Sequence, residues 1–128
     1  MKIRAILMDM DGTFLGRSQV ATTMNNMAAI QKALDMGVHE IPCTGRVYDM
    51  LPPQLLTQPG IRSCITGHGA RAYDCKNNTT LYSDLIPAEQ VSQLMEILED
   101  KGLYNEIAAE TTIYLEKGTA LMAKQNYP

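Results

Sequence analysis

The chain has 128 residues, 45% of them hydrophobic and 20% charged, which is ordinary globular usage and excludes a collagen-like, mucin-like or disordered chain. Eleven Lys and Arg against fourteen Asp and Glu leave a formal charge of −3. That balance, without a run of like charge, offers no basic footprint to nucleic acid or to an anionic membrane. With no Trp and one Phe, platforms for stacking bases are also poorly supplied. The nine methionines read as flexible core fillers. Cys43, Cys64 and Cys75 are odd in number and lack CxxC spacing, so free thiols in a reducing cytoplasm are expected, and neither a disulfide framework nor a zinc site. The apolar run after Lys2 and Arg4 is cut off by Asp9, too short for an export signal or a bilayer span.

Ile3 to Met8 is almost continuously apolar, as befits a strand buried on both faces inside a parallel sheet. It ends at Asp9-Met10-Asp11-Gly12-Thr13. Thr22 and Thr23 offer N-caps for a helix whose apolar stripe is Met27, Ile30 and Leu34, widened by Ala33, with Gly37 as its stop. Val38 to Cys43 reads as a second strand, ending at Thr44-Gly45-Arg46. Val47 to Leu56 reads as a short helix that Pro52-Pro53 must break or restart. Ile61 to Ile65 is expected as a third strand, running into Thr66-Gly67-His68-Gly69-Ala70. Strand and helix alternating at this spacing predict a doubly wound α/β sheet.

The pattern then changes. Ala72-Tyr73 and Thr80 to Tyr82 flank Cys75-Lys76-Asn77-Asn78, a hairpin turn by composition. Pro87 is placed at position N1 of a helix with Val91, Leu94, Met95 and Leu98 on one face and Gly102 as terminator. Thr111 to Leu115, β-branched and aromatic, predicts a strand. A boundary between Ser83 and Pro87 divides the chain into an α/β part, 1–84, and the start of a smaller α+β part, 85–128.

The chemistry gathers at the strand ends. If the backbone stays extended through Asp9 and Asp11, its period of two turns both carboxylates to one side. Two anions that close call for a shared cation or proton. Oxygen-only ligands favour a hard divalent ion, Mg²⁺ first. Gly12 and Thr13 add a tight turn, exposed N–H groups and a hydroxyl suited to phosphate oxygens. Ligands of open α/β sheets bind beyond the strand C-termini, and Thr44 ends the second strand at that same edge. A D-x-D pair can also be two ordinary turn-forming acids. Chance, however, would place D-x-D-G-T in only about one chain of this length in several hundred.

Asp9-Met10-Asp11-Gly12-Thr13, Thr44-Gly45-Arg46 and Gly67-His68-Gly69-Ala70 together resemble the haloacid dehalogenase superfamily, in particular its Cof-type subfamily of sugar-phosphate and small-phosphate phosphatases. The resemblance implies a Rossmann-like parallel core, here incomplete and N-terminal only, followed by the start of an α+β cap domain. It implies Asp9 as nucleophile and Asp11 as general acid and then base. Mg²⁺ would be held by Asp9 and by Asp11 through its backbone carbonyl. Gly12, Thr13, Thr44, Gly45 and Arg46 would bind the phosphate of a small phosphorylated metabolite. His68 stands where the family usually has Asn, and is expected at the rim or in a structural role. The interval from Asp11 to Thr44 holds one helix and one strand, so any cap must follow the third strand.

The family completes its site with a Lys and a later Gly-Asp-type acidic motif. Lys117 and Lys124 are followed by no acidic cluster, and the chain has no Gly-Asp dipeptide. The expectation is therefore an N-terminal half, inactive alone, which self-associates or takes a complementing C-terminal half along Ile3 to Met8. Two alternatives belong to other classes. One is a non-catalytic binding or assembly module derived from the same fold. The other is a receiver-type phosphoacceptor domain, which requires an Asp at the end of the third strand, where this chain has Ile65-Thr66-Gly67-His68.

Overall fold

Strand β1 (Ala5–Met8) and strand β2 (His39–Pro42) pair in parallel, Ala5 opposite His39 and Met8 opposite Pro42. The computed structural model describes residues 2–16, 24–58, 60–110 and 112–115. Parallel strands need a crossover, and helix α1 (Met24–Asp35) lies in the connection between them. It turns Ile30 into the core, with Met27 and Leu34 packed beside it. Gly37, at φ +75°, ends it as expected, its N–H donating to the Leu34 carbonyl at 2.9 Å. The expected caps Thr22 and Thr23 lie outside the described residues.

Strand β3 (Ser63–Thr66) continues the parallel arrangement through a bridge between Cys43 and Ile65. It begins two residues later than Ile61, because Ile61 is drawn into the core beneath the sheet. The Val47–Leu56 segment is divided, as Pro52-Pro53 dictate. A 3-10 turn spans Tyr48–Met50, and helix α2 (Pro53–Leu56) restarts with proline at its first position. Strands β4 (Arg71–Asp74) and β5 (Thr79–Ser83) extend β3 as an antiparallel meander. In the turn between β4 and β5, the Asp74 carboxylate accepts from the N–H groups of Lys76 and Asn77 at 2.9 and 3.0 Å. Asn78, at φ +52°, completes the turn.

Helix α3 (Ala88–Asp100) follows, with Pro87 at its N-cap, one position earlier than the expected N1. Gly102 at φ +62° closes it. Strands β6 (Glu106–Ala108) and β7 (Ile113–Leu115) form a hairpin. Strand β7 falls within the expected Thr111–Leu115, although Thr111 itself is not described, and β6 had no counterpart in the sequence reading. None of the described helices is long and apolar enough to cross a membrane.

Two apolar clusters carry the fold. Met10, Phe14, Leu15, Ile30, Leu55 and Ile61 form the larger, on the α1 side. Leu51, Cys64 and Tyr73 form the other. One expectation fails here. Strand β1 is not buried on both faces: Ile3 and Leu7 are 62% and 61% exposed. Among the described residues only β2 pairs with it, so the sheet grows away from one edge of β1 and leaves the other open.

Glu40, on β2 opposite Ile6, is only 3% exposed and meets no cation or donor among the described residues. Burial raises its pKa. A carboxyl that holds its proton more tightly when folded stabilises the fold below its unfolded pKa, and loses that contribution as pH rises through the folded one. Glu40→Gln is therefore expected to stabilise the chain at neutral pH by about 1 kcal/mol, with the gain vanishing at about pH 4. Thermal melts of both proteins at the two pH values decide this, and an equal gain at both would exclude ionisation as its cause. Met10 is 0% exposed in the larger cluster. Truncation to Ala is expected to cost about 2–5 kcal/mol in denaturant titration.

Candidate active site

Beyond Met8 the chain leaves the sheet in a turn. The Asp9 carbonyl accepts the Phe14 N–H at 3.3 Å and the Met10 carbonyl accepts the Leu15 N–H at 2.8 Å. Gly12 takes φ +77°, which a side chain would disfavour. Met10 is fully buried between two exposed acids, so its insertion into the core leaves Asp9 and Asp11 on the solvent side. The Thr13 hydroxyl donates to Asp9 Oδ2 at 2.6 Å.

The end of β2 is joined to the same edge. The Cys43 N–H donates to the Met8 carbonyl at 2.8 Å, and the Thr44 N–H to the Ile65 carbonyl at 3.0 Å. Thr44 is buried, and its hydroxyl accepts the Arg46 N–H at 3.2 Å. The Gly67 N–H closes on the Arg46 carbonyl at 2.9 Å, tying the loop after β3 to the loop after β2. Arg46 grips Asp11 with both prongs: Nε donates to Oδ2 at 2.9 Å and a terminal nitrogen to Oδ1 at 2.5 Å. Its other terminal nitrogen donates to the Met50 carbonyl at 3.1 Å. A bidentate guanidinium–carboxylate pair fixes orientation as well as charge, and the bond to Asp11 raises the Arg46 pKa further.

His68, at φ +56° in the left-handed region, lays its imidazole over Gly45, where a Cβ would collide with the ring. A side chain at position 45 would force the imidazole to move aside.

These residues line one wall of a cleft of about 510 Å³, formed by Asp9, Asp11, Thr44, Gly45, Arg46, Met50 and His68. Glu106, Ile113 and Leu115 of the β6–β7 hairpin line the other. A buried arginine ties that hairpin to the sheet. Arg71, 5% exposed, donates at 3.0 Å to Glu110 Oε1 and at 3.0 Å to the Tyr73 hydroxyl, which in turn donates to the Glu110 carbonyl at 3.0 Å.

Asp9, Asp11, Thr44, Gly45 and Arg46, singled out from the sequence, are thus brought together. Gly12 and Thr13 shape the turn and do not line the cleft, and the Thr13 hydroxyl is engaged by Asp9. Arg46 is turned onto Asp11. The sequence reading missed Met50, Glu106, Ile113 and Leu115 as cleft residues. They carry no motif, and a three-residue strand such as β6 has too little periodicity to register. Among the described residues, no group of three or more His, Cys, Asp or Glu is placed to hold a metal ion.

The fold is shared with solved structures. A phosphatase of the haloalkanoate enzyme superfamily from Bacteroides thetaiotaomicron matches 97% of this chain and 46% of its own, at 20% identity and TM-score 0.78. A haloacid dehalogenase-like hydrolase from B. subtilis matches 95% of this chain and 42% of its own, at 23% identity and TM-score 0.78. A subclass IIB sugar phosphatase matches 97% and 48%, at 24% identity and TM-score 0.79. The chain therefore spans less than half the length of these structures, and at such identities the likeness speaks for the fold. A comparison with curated proteins gives no match. The model of the haloacid dehalogenase-like hydrolases, however, matches residues 6–127. With a parallel α/β sheet, an acid pair after β1 and a Thr-Gly-Arg after β2, the chain belongs to the haloacid dehalogenase-like hydrolase family.

Proposed function

We propose that this chain carries the nucleophile and acid–base half of a phosphatase acting on small phosphomonoesters such as sugar phosphates. The observation that carries the reading is the asymmetry of two carboxylates in one cleft. Asp11 is clamped by Arg46, whereas Asp9 is bonded only to the neutral Thr13 hydroxyl among the described side chains. Carboxylates in different surroundings suit different roles. An Asp9 oxygen attacks phosphorus in line, and Asp11, which takes up a proton from solvent as Arg46 turns from it to the bound phosphate, gives that proton to the departing ester oxygen. Asp11 then takes a proton from water, which attacks the aspartyl-phosphate, releasing phosphate and restoring Asp9. The Thr44 hydroxyl, the Gly45 turn and Arg46 would bind the phosphoryl oxygens.

The donor set suits Mg²⁺. The Asp9 carboxylate and the Asp11 backbone carbonyl would offer only oxygen, and so small a protein set leaves the remaining ligand positions to water and substrate, as this ion prefers. Bound there, it would supply charge neutralisation for phosphoryl transfer.

The open edge of β1 supports a further part of the reading: the isolated chain pairs with a second copy along Ile3 to Met8. Sedimentation at tens of micromolar, about the range where such edges associate, is expected to show species larger than the monomer. Leu7→Lys, a charge on that edge, is expected to restore the monomer. A folded, strictly monomeric wild-type chain would contradict the pairing.

Activity is proposed for a protein of full family length. p-Nitrophenyl phosphate hydrolysis with Mg²⁺ is expected from that protein and not from the 128-residue chain. Asp9→Asn and Asp11→Asn are each expected to lower kcat by about a thousandfold or more. Unchanged turnover in Asp9→Asn would overturn the assignment. Inertness of the full-length protein towards a broad panel of phosphate esters would favour the binding-module reading instead.

A further inference from the structure

The third and fourth strands bring two cysteines together. Cys64 lies opposite Tyr73 in the β3–β4 ladder, and the Cys75 N–H donates to the Arg62 carbonyl at 2.9 Å, carrying the ladder one pair further. Because side chains alternate across a strand, Cys64, Tyr73 and Cys75 share one face, with the two cysteines diagonal to each other. They meet in the apolar cluster of Leu51, Cys64 and Tyr73, against which Cys75 and Tyr48 pack. Each thiol lies within hydrogen-bonding reach of the other, and the Tyr48 hydroxyl also reaches Cys75.

The two sulfurs are not equivalent. Cys64 is fully buried and Cys75 is partly exposed. The Cys64 thiol, acting as donor, lowers the Cys75 pKa, with the Tyr48 hydroxyl adding to the effect, whereas that same bond and burial raise the Cys64 pKa. A partly exposed cysteine beside a sheltered one is the arrangement of an attacking and a resolving cysteine. Cys43, the third free cysteine, stands apart at the end of β2, bridged to Ile65.

We propose that Cys64 and Cys75 form a redox-reversible pair that closes to an intramolecular disulfide when the chain meets a peroxide. The Cys75 thiolate attacks one oxygen of hydrogen peroxide, the O–O bond breaks, and hydroxide leaves, giving the Cys75 sulfenic acid. Cys64 sulfur then attacks the Cys75 sulfur, the S–O bond breaks, and the departing oxygen takes the Cys64 proton as water. Two thiols lose two electrons and two protons in all, and one peroxide becomes two waters. The bond would span the β3–β4 hairpin, whose tip, Gly67 to Ala70, holds His68 over Gly45. This inference stands on the cysteine pair alone and is independent of the phosphatase reading.

The test treats the fully reduced 128-residue chain with one equivalent of hydrogen peroxide, blocks remaining thiols by alkylation, and digests with trypsin without reduction. The expected product has lost two hydrogens, about 2 Da, and yields peptide 63–71 disulfide-linked to peptide 72–76, with Cys43 alkylated. Dithiothreitol is expected to reverse it. In Cys64→Ser the expected product is a Cys75 sulfenic acid captured by dimedone, and in Cys75→Ser the buried Cys64 is expected to remain a thiol. The proposal is overturned if wild-type Cys75 passes to sulfinic acid while Cys64 stays alkylatable. It is equally overturned if all three thiols survive, or if the disulfide formed engages Cys43 or a second chain.

Discussion

The burial of Met10 between two acids is the constraint on which the site depends. A fully buried side chain flanked by charged neighbours leaves that stretch of backbone little choice, since turning either acid inward would strand a charge in an apolar cluster. The Met10 carbonyl and the Leu15 N–H close the turn behind it, and Phe14 and Leu15 enter the same cluster. The outward direction of both acids in this chain thus comes from core packing one residue away from each of them.

The second determinant is where the chain spends its arginines. Arg46 leaves the end of β2 and crosses to Asp11, joining two loops that the sequence separates by a helix and a strand. That bridge orients Asp11 and offsets one of the two negative charges, which lets an acid pair stand together in a cleft. Arg71 is buried instead, and joins the meander to Glu110 beside the β6–β7 hairpin. Its Nε is a buried polar atom without a partner among the described residues, so the guanidinium is not fully satisfied by these contacts. A buried cation tied to a mostly exposed glutamate orients the hairpin more than it stabilises the fold.

The cleft is therefore a composite of a polar wall from the strand ends and a mainly apolar wall from the hairpin. Ile113 and Leu115 line it together with Thr44 and Arg46, and Glu106 is the carboxylate that the hairpin contributes. The open edge of β1 is the complementary feature. Its exposed Ile3 and Leu7 are apolar because the strand is composed for a sheet interior, and the described residues furnish a neighbour on one side only.

Local chemistry was legible in the sequence. Gly37 stopping α1, Pro52-Pro53 dividing a helix, and the Cys75–Asn78 turn depend on φ preferences and hydrogen bonds within a few residues. The D-x-D-G-T run at a strand end marked the acids because so much polar chemistry rarely follows an apolar strand by accident. Tertiary structure alone decided the rest. The Arg46–Asp11 clamp, the stacking of His68 on Gly45 and the Cys64–Cys75 pairing are contacts between residues distant in sequence, and depend on register and loop path. Whether Ile3 to Met8 is covered was likewise undecided by its composition, because an apolar strand reads the same whether or not a second neighbour is present. Hydrophobicity states what a segment can bury, and only the packed chain determines what it does bury.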